Sequence, residues 1–336
     1  MRAFRTVSQA VDALYAQVMR PENKGRYSEE LWHYYPQLTH SRGRIQETRY
    51  VYDLCRLARF DPEGARVLDA GCGYGLQLTI LHFMGIREGI GIDPYEDRLN
   101  TFRQIIQDFC LQTTLQGYPI GLEKATFEPE SFDMVLSNEA ISHYPDVELF
   151  FKKAYQWLRP GGVLIIADGN NGANPRLVRF TREVWRRFEQ GPPGTIGAHC
   201  IERPYVEMRA EIIRQTYPDL EQSVVRQLAE RTSGMTKEAI LQAVAHYLRT
   251  GELPQSIFDG TQCPVNPYSG AVIERLFHPL RLAQELQRFG FRARAYAYFG
   301  GAGGNPLVRI ANAVLQAMTP LSVRWAPSFR IVAYKQ

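Results

Sequence analysis

Asp69, Gly71, Gly73 and Asp93 combine two carboxylates with two backbone positions free of a Cβ, a set able to hold a polar ligand. The run Val67-Leu68-Asp69-Ala70-Gly71-Cys72-Gly73-Tyr74-Gly75 passes from a short apolar segment straight into a glycine-rich turn and then a helix. Glycine at such a turn takes positive φ without a Cβ clash, so main-chain N–H groups and the following helix N-terminus can face a bound polar group. Asp93 closes the next apolar run about twenty residues after the first glycine, where a carboxylate can accept from both hydroxyls of a ribose. Asp69 can hold the turn through backbone N–H groups or accept from a ligand ammonium. The turn alone does not name its ligand. A G-x-G-x-x-G dinucleotide fingerprint would need glycine where Leu76 stands, and Gly75 comes one position early, so hydride transfer is the weaker alternative.

Positioning these residues requires a parallel sheet covered on both faces, the pattern that short apolar runs alternating with amphipathic segments produce between Arg66 and Gly169. Strands are expected at Arg66–Ala70, Glu88–Asp93, Phe132–Ser137 and Val163–Asp168, with one more inside Tyr118–Phe127. Helices are expected at Leu76–Met84, Glu96–Phe109 and Val147–Leu158, the last ended by Arg159-Pro160-Gly161-Gly162. From Asn170 to about His278 helical patterns broken by Gly and Pro replace the strand signal. A helix at Pro279–Arg288 and strands at Phe291–Phe299 and Phe329–Tyr334 then finish the sheet. An excursion of about a hundred residues is too long for a plain connection and reads as a cap over the carboxyl edge of the sheet.

Four segments in this order and spacing, VLDAGCGYG, GIDPYEDRL, FDMVLSNEAISHYPD and LRPGGVLIIAD, resemble the class I S-adenosylmethionine-dependent methyltransferases. The resemblance covers Arg66 to Asp168 firmly and the two late strands loosely; Asn170 to His278 lies outside it. It implies an α/β fold with a doubly wound, mostly parallel, seven-stranded Rossmann-like sheet and an inserted helical cap. The organisation expected is residues 1–60 as an N-terminal helical segment belonging to the cap, 61–169 and 279–336 as the cofactor-binding domain, and 170–278 as the substrate cap. S-adenosyl-L-methionine is the implied cofactor. Asp69, Gly71 and Gly73 would surround its methionine part and Asp93 would bind its ribose, with Cys72, Pro94, Asn138 and Glu139 also beside it. Many relatives carry a Gly-Asp-Ala-like acid against the adenine; Gly121-Leu122-Glu123-Lys124-Ala125 stands there instead, leaving Glu123 as the candidate.

A methyl already activated on a sulfonium needs an aligned nucleophile, exclusion of water and, for some acceptors, removal of a proton. His143, just past the fourth strand, is the candidate base, and its availability favours oxygen over nitrogen or carbon as the accepting atom. The bland reading is that His143 and Tyr144 cap the helix that Pro145 and Asp146 begin. Tyr34 and Tyr35, in Trp32-His33-Tyr34-Tyr35-Pro36, either line an aromatic substrate pocket or pack the N-terminal helix. His199 and Glu202 either approach substrate from the cap or are polar loop positions, and Asn266-Pro267-Tyr268 reads as a turn. Pro306–Met318, apolar apart from Arg309, could wall an apolar site, touch a membrane surface, or pack in the core or a homodimer.

Composition narrows the remaining classes. The 336 residues carry 39 Lys plus Arg against 35 Asp plus Glu, a net +4 with no basic stripe, which gives a nucleic-acid partner no support. Hydrophobic residues at 45% and charged residues at 22% are those of a globular protein. Met1–Met19 reads as an amphipathic helix and not as an export signal, and no apolar run reaches the roughly 18 residues of a spanning helix, so no stable membrane insertion is expected. Five scattered cysteines form no C-x-x-C pair, which signals no metal site and fits a reducing, cytoplasmic compartment. The function expected is methyl transfer to a small organic acceptor of the natural-product or secondary-metabolite kind. The alternatives are a lipid or membrane-linked acceptor and a cofactor-binding subunit without catalysis.

Overall fold

The computed structural model describes residues 1–300 and 306–336, which divide into two compact units, Met1–Asn171 with His278–Gln336, and Gly172–Phe277. In chain order the first unit begins with α1 (Phe4–Val18), α2 (Glu30–Tyr34), α3 (Ser41–Leu57), β1 (Arg66–Ala70), α4 (Leu76–Met84) and β2 (Glu88–Ile92). It continues with α5 (Glu96–Asp108), β3 (Leu115–Tyr118), β4 (Phe132–Asn138), α6 (Val147–Trp157) and β5 (Leu158–Asp168). The second unit holds α7 (Pro175–Gln190), β6 (Gly194–Ile196), β7 (His199–Ile201), α8 (Tyr205–Thr216), α9 (Gln222–Arg231) and α10 (Lys237–Thr250). The chain then returns to the first unit through α11 (Pro279–Arg288), β8 (Phe291–Tyr298), α12 (Pro306–Ala317), α13 (Thr319–Ser322) and β9 (Ser328–Lys335).

The sheet of the first unit has seven strands in the order β3-β2-β1-β4-β5-β9-β8. β9 runs antiparallel to both β5 and β8, and the other pairs are parallel. The inner strands are buried on both faces, which is why Val67–Ala70 and Val163–Ala167 are unbroken apolar or small runs except for Asp69. Strand order reverses between β1 and β4, and the carboxyl ends of strands at such a switch point open a crevice for ligands.

The N-terminal segment belongs to this unit. Val7, Val11, Leu14 and Val18 recur along one stripe of α1 and join a single core with Val67, Leu78 and Met134. Helix α6 starts at Asp146, whose side chain accepts from the Leu149 N–H, the capping role the Pro145-Asp146 pair suggested.

Three expectations are corrected. The strand placed inside Tyr118–Phe127 lies earlier, at Leu115–Tyr118. Only alternate residues of it are buried, and one of those is Gly117, where a Cβ would come within 2.9 Å of Leu99, so the apolar signal is thin. β5 begins at Leu158 and not Val163, because Leu158 pairs with Phe132 across a register irregularity that absorbs the Pro-Gly-Gly turn. The region read as wholly helical contains the β6–β7 hairpin, three residues in each strand and too short for a periodicity to show. On α12, Leu307, Ile310 and Val314 are exposed, which removes core packing as the account of those side chains. Among the described residues no helix is long and apolar enough to cross a membrane.

The second unit carries a core of its own around Ile212, Ile213, Leu228, Ile240 and Val244. A fully buried ion pair sits in it. Arg209 Nη1 donates to Glu189 Oε1 at 2.5 Å and its Nε to the Ala229 carbonyl at 2.7 Å, so the guanidinium is held by more than the carboxylate.

Candidate active site

The glycine-rich turn is locked to the end of β2. Gly71 and Cys72 both donate to the Ile92 carbonyl, at 2.8 and 3.1 Å, and the Gly73 N–H donates to Asp93 Oδ2 at 3.0 Å. Asp93 Oδ1 accepts from the Tyr95 N–H at 2.9 Å. Burial raises the Asp93 carboxyl above its ordinary range, against these two backbone bonds and the fields of Arg98 and His143, which lower it. The Cys72 thiol points into packing, since a Cβ on Gly91 would lie 2.6 Å from its sulfur; only the Cys72 main chain can face a ligand.

Two glycines of this turn do different work. Gly75, at φ +71°, starts α4 against the Phe102 ring, which a Cβ would meet at 2.1 Å. Gly73, at φ +53°, faces open space, with no atom within 4 Å of a Cβ. Gly75→Ala is therefore expected to destabilise the fold by about 2–4 kcal/mol through overpacking and strain, measured by chemical denaturation. Gly73→Ala is expected to cost about 1 kcal/mol in stability, the ordinary penalty of that backbone conformation, while placing a methyl where a ligand would lie.

Asp69 stands just before the turn, 1% exposed, and neither carboxylate oxygen has a hydrogen-bond partner among the described residues. Burial, and after it the charge of Asp93, pushes its carboxyl up to about 8. A buried carboxyl left unsatisfied is costly to the fold and marks a place where a donor or a cation from outside would be stabilised.

The end of β4 forms the opposite wall. Asn138 Oδ1 accepts from the Tyr50 hydroxyl at 2.6 Å, and Glu139, at φ +50°, accepts through Oε2 from the Gly169 N–H at 2.8 Å. Tyr144 is buried and donates to the Ala70 carbonyl at 2.7 Å, tying the turn after β4 to β1. His143 in the same turn is exposed. The loop after β3 that carries Glu123 is gathered by Lys153 Nζ, which donates to the carbonyls of Leu122, Glu123 and Ala125 at 2.8–2.9 Å. Glu123 itself is exposed, and neighbouring Gly121 lies against Pro94.

The N-terminal segment supplies an aromatic side to the same crevice. Tyr34 and Tyr35 stand 5.8 and 6.2 Å from the ring of Tyr74 in the glycine-rich turn. Tyr34 lies within the fields of Asp93 and Glu139, and Tyr35 within that of Asp69. Arg98 fixes the arrangement. Its guanidinium lies 4.9 Å from the Tyr34 ring and 4.7 Å from Tyr95, and pairs at 3.0 Å with Glu30, which also accepts from the Tyr74 hydroxyl at 2.9 Å. Arg98 and Glu30 escaped the sequence reading, although Arg98 stands inside the GIDPYEDRL segment.

The structure thus brings together Asp69, Gly71, Gly73, Asp93, Pro94, Glu123, Asn138, Glu139, His143, Tyr34 and Tyr35 at the carboxyl edge of one sheet. His199 is in the other unit, on β7, its ring 6.0 Å from Phe188.

A seven-stranded sheet with one antiparallel strand, a glycine-rich turn after β1 and an acid at the end of β2 defines the class: a class I, Rossmann-like methyltransferase fold. Residues 68–166 match the family model described as a methyltransferase domain, so this part of the chain is an S-adenosylmethionine-dependent methyltransferase domain. Among curated proteins it is similar to the ubiquinone biosynthesis O-methyltransferase of Agrobacterium fabrum, 30% identical over 161 residues, 46% of this chain and 62% of that protein. The same enzyme from Rhizobium rhizogenes is 34% identical over 166 residues, 46% of this chain and 63% of the relative. The mitochondrial human one is 36% identical over 110 residues, 32% of this chain and 29% of the relative. The chain therefore spans less than two thirds of the length of these curated relatives. Among solved structures, an S-adenosylmethionine-dependent methyltransferase from Mesorhizobium loti is 16% identical, with a TM-score of 0.45, covering 84% of this chain and 97% of that one.

Proposed function

We propose that this chain transfers the methyl group of S-adenosylmethionine to an oxygen of a small organic acceptor. The observation that carries the reading is the turn at Gly71–Gly75, open beside Gly73 and anchored on Asp93, next to a buried Asp69 whose oxygens have no partner among the described residues. These residues fit the cofactor by charge and by space. Asp69 suits its cationic end, the N–H-lined turn its backbone-facing side, and Asp93 its ribose; Pro94, Glu123, Asn138 and Glu139 complete the edge. The cofactor, when bound, supplies an activated methyl on a positively charged sulfur. Oxygen as the accepting atom is supported by the O-methyltransferases among the relatives.

The chain's own contribution is positioning, exclusion of water and, for a protonated acceptor, removal of the proton. Tyr34, exposed beside the turn, is read as an aromatic wall of the crevice, with Tyr35 behind it packed against the core. The insert, which lies outside the matched methyltransferase domain, is read as a carrier of acceptor specificity together with His199. A reducing, cytoplasmic compartment belongs to the same reading, resting on the scattered cysteines and their lack of a C-x-x-C pair.

Calorimetric titration with S-adenosylhomocysteine, with NAD as control, tests the reading: micromolar binding of the first alone supports it, and no binding by a folded protein overturns it. His143 is proposed as the base. His143→Ala is expected to lower kcat by about a hundredfold for an acceptor that enters as a protonated phenol, with S-adenosylhomocysteine affinity unchanged. Full turnover in that variant would assign His143 to the edge of the Asp93 pocket alone.

A further inference from the structure

Arg330 is 3% exposed, yet among the described residues it forms no ion pair, and its Nε–H is buried without an acceptor. Its Nη1 donates to the Phe329 carbonyl at 2.6 Å. The guanidinium lies 3.9 Å from the centre of the Tyr298 ring and 5.0 Å from that of Tyr50, two phenols whose own centres are 6.1 Å apart. The acids whose fields reach these phenols are Glu47 and Asp53 on α3 and Glu139 after β4. A buried cation with no counter-charge in contact works against folding, and a ligand that supplied one would offset that cost.

The register shows which ligand this would be. Asn138 on β4 pairs with Ala167 on β5, and Ala167 pairs with Arg330 on β9, so the three share one row and one face of the sheet. Tyr50 spans the row, its hydroxyl on Asn138 and its ring on Arg330. Asp69 lies on β1 and Asp93 just after β2, on the other side of β4. Adjacent strands are about 4.8 Å apart, so Arg330 stands roughly 14 Å across the sheet from β1, beyond β4 and away from the glycine-rich turn. A molecule held by Asp69 and Asp93 and reaching its methyl to β4 would therefore meet its acceptor on the β5–β9 side.

We propose that Arg330, framed by Tyr50 and Tyr298, is the subsite for an anionic oxygen of the acceptor, a phenolate or a carboxylate on an aromatic ring. The inference rests on the methyltransferase reading and deepens it by naming the acceptor's charge. A planar guanidinium can bind such an oxygen through two N–H groups, and the flanking phenols supply apolar faces for a ring.

The test is binding to the full chain in the presence of S-adenosylhomocysteine, with nitrocatechol as the phenolate probe, read by the absorbance of its ionised form, and protocatechuate with its neutral methyl ester as the carboxylate pair. The wild-type protein is expected to bind nitrocatechol as the anion, or protocatechuate at least tenfold more tightly than its ester; whichever probe shows this identifies the oxygen. Arg330→Met is expected to weaken that anion at least tenfold while S-adenosylhomocysteine affinity stays within about twofold. Equal binding of charged and neutral probes by the wild type, or anion binding unchanged in Arg330→Met, overturns the proposal. So does a parallel loss of S-adenosylhomocysteine binding, which would place Arg330 on the cofactor. If Arg330→Met does not fold, Arg330→Lys keeps the charge and loses the fork: weakened anion binding supports the subsite, and unchanged binding overturns it. Failure of the wild type to bind S-adenosylhomocysteine would count against the methyltransferase reading alone, since the anion probes can be titrated without it.

Discussion

Replacing Asp93 with alanine is expected to lower affinity for S-adenosylhomocysteine about a hundredfold, measured by calorimetry at constant pH. The estimate follows from two charge-assisted hydrogen bonds to ribose hydroxyls at about 1.5 kcal/mol each. The Gly73 N–H would also lose its acceptor, so the turn that lines the site would loosen as its ligand contact disappears. Stability should change little by comparison. Because burial holds the Asp93 carboxyl above its ordinary range, ionising it works against folding: its contribution is greatest at low pH and declines as pH rises past the ordinary carboxylate range. Removing such a group relieves the fold of a desolvated charge, which offsets the two lost backbone bonds. Near wild-type affinity in a folded Asp93→Ala protein would show that the ribose is held elsewhere.

The second large effect is a pH dependence of cofactor binding set by Asp69. With its carboxyl pushed up to about 8 in the free protein, Asp69 is mostly protonated at neutral pH. A cationic group bound beside it favours the carboxylate, so binding must expel that proton. Affinity should therefore climb with pH by at most about tenfold per unit below 8 and level off above it. Calorimetry at pH 7 in buffers of different ionisation enthalpy should detect close to one proton released per S-adenosylhomocysteine bound. Asp69→Asn should abolish both the slope and the proton release. The two predictions are coupled: the charge of Asp93 is the second cause of the raised value, so in Asp93→Ala the rise in affinity should move to lower pH. A flat profile in the wild-type protein would remove Asp69 from contact with the ligand's positive charge.

Much of this site is local along the chain and legible there. Asp69, Gly71 and Gly73 lie within five residues, and Asp93 ends the next strand, so one βαβ passage carries the turn and its anchor. The helices α4, α5 and α6 lie within a residue or so of where periodicity places them, because buried stripes and caps such as Asp146 are written in neighbouring residues. β3 was misplaced because an edge strand buries only every other residue, and a glycine there leaves little apolar signal. His143 is legible in the sequence only by its place after β4, because what its ring meets depends on elements distant along the chain.

Periodicity, glycine and short spacing were enough to place β1, β2 and β4, the glycine-rich turn, the acids near the ends of β1 and β2 and the interruption between β5 and β8. Tertiary structure alone decided that Tyr34 and Tyr35 face the turn, that Arg98 and Glu30 hold them there, and that Arg330 meets Tyr50 and Asn138. Tyr50 and Arg330 lie 280 residues apart, on a helix before the sheet and on a strand that closes it. No local pattern encodes such a meeting, because it depends on strand order and register, which emerge only when distant apolar faces pack into one core.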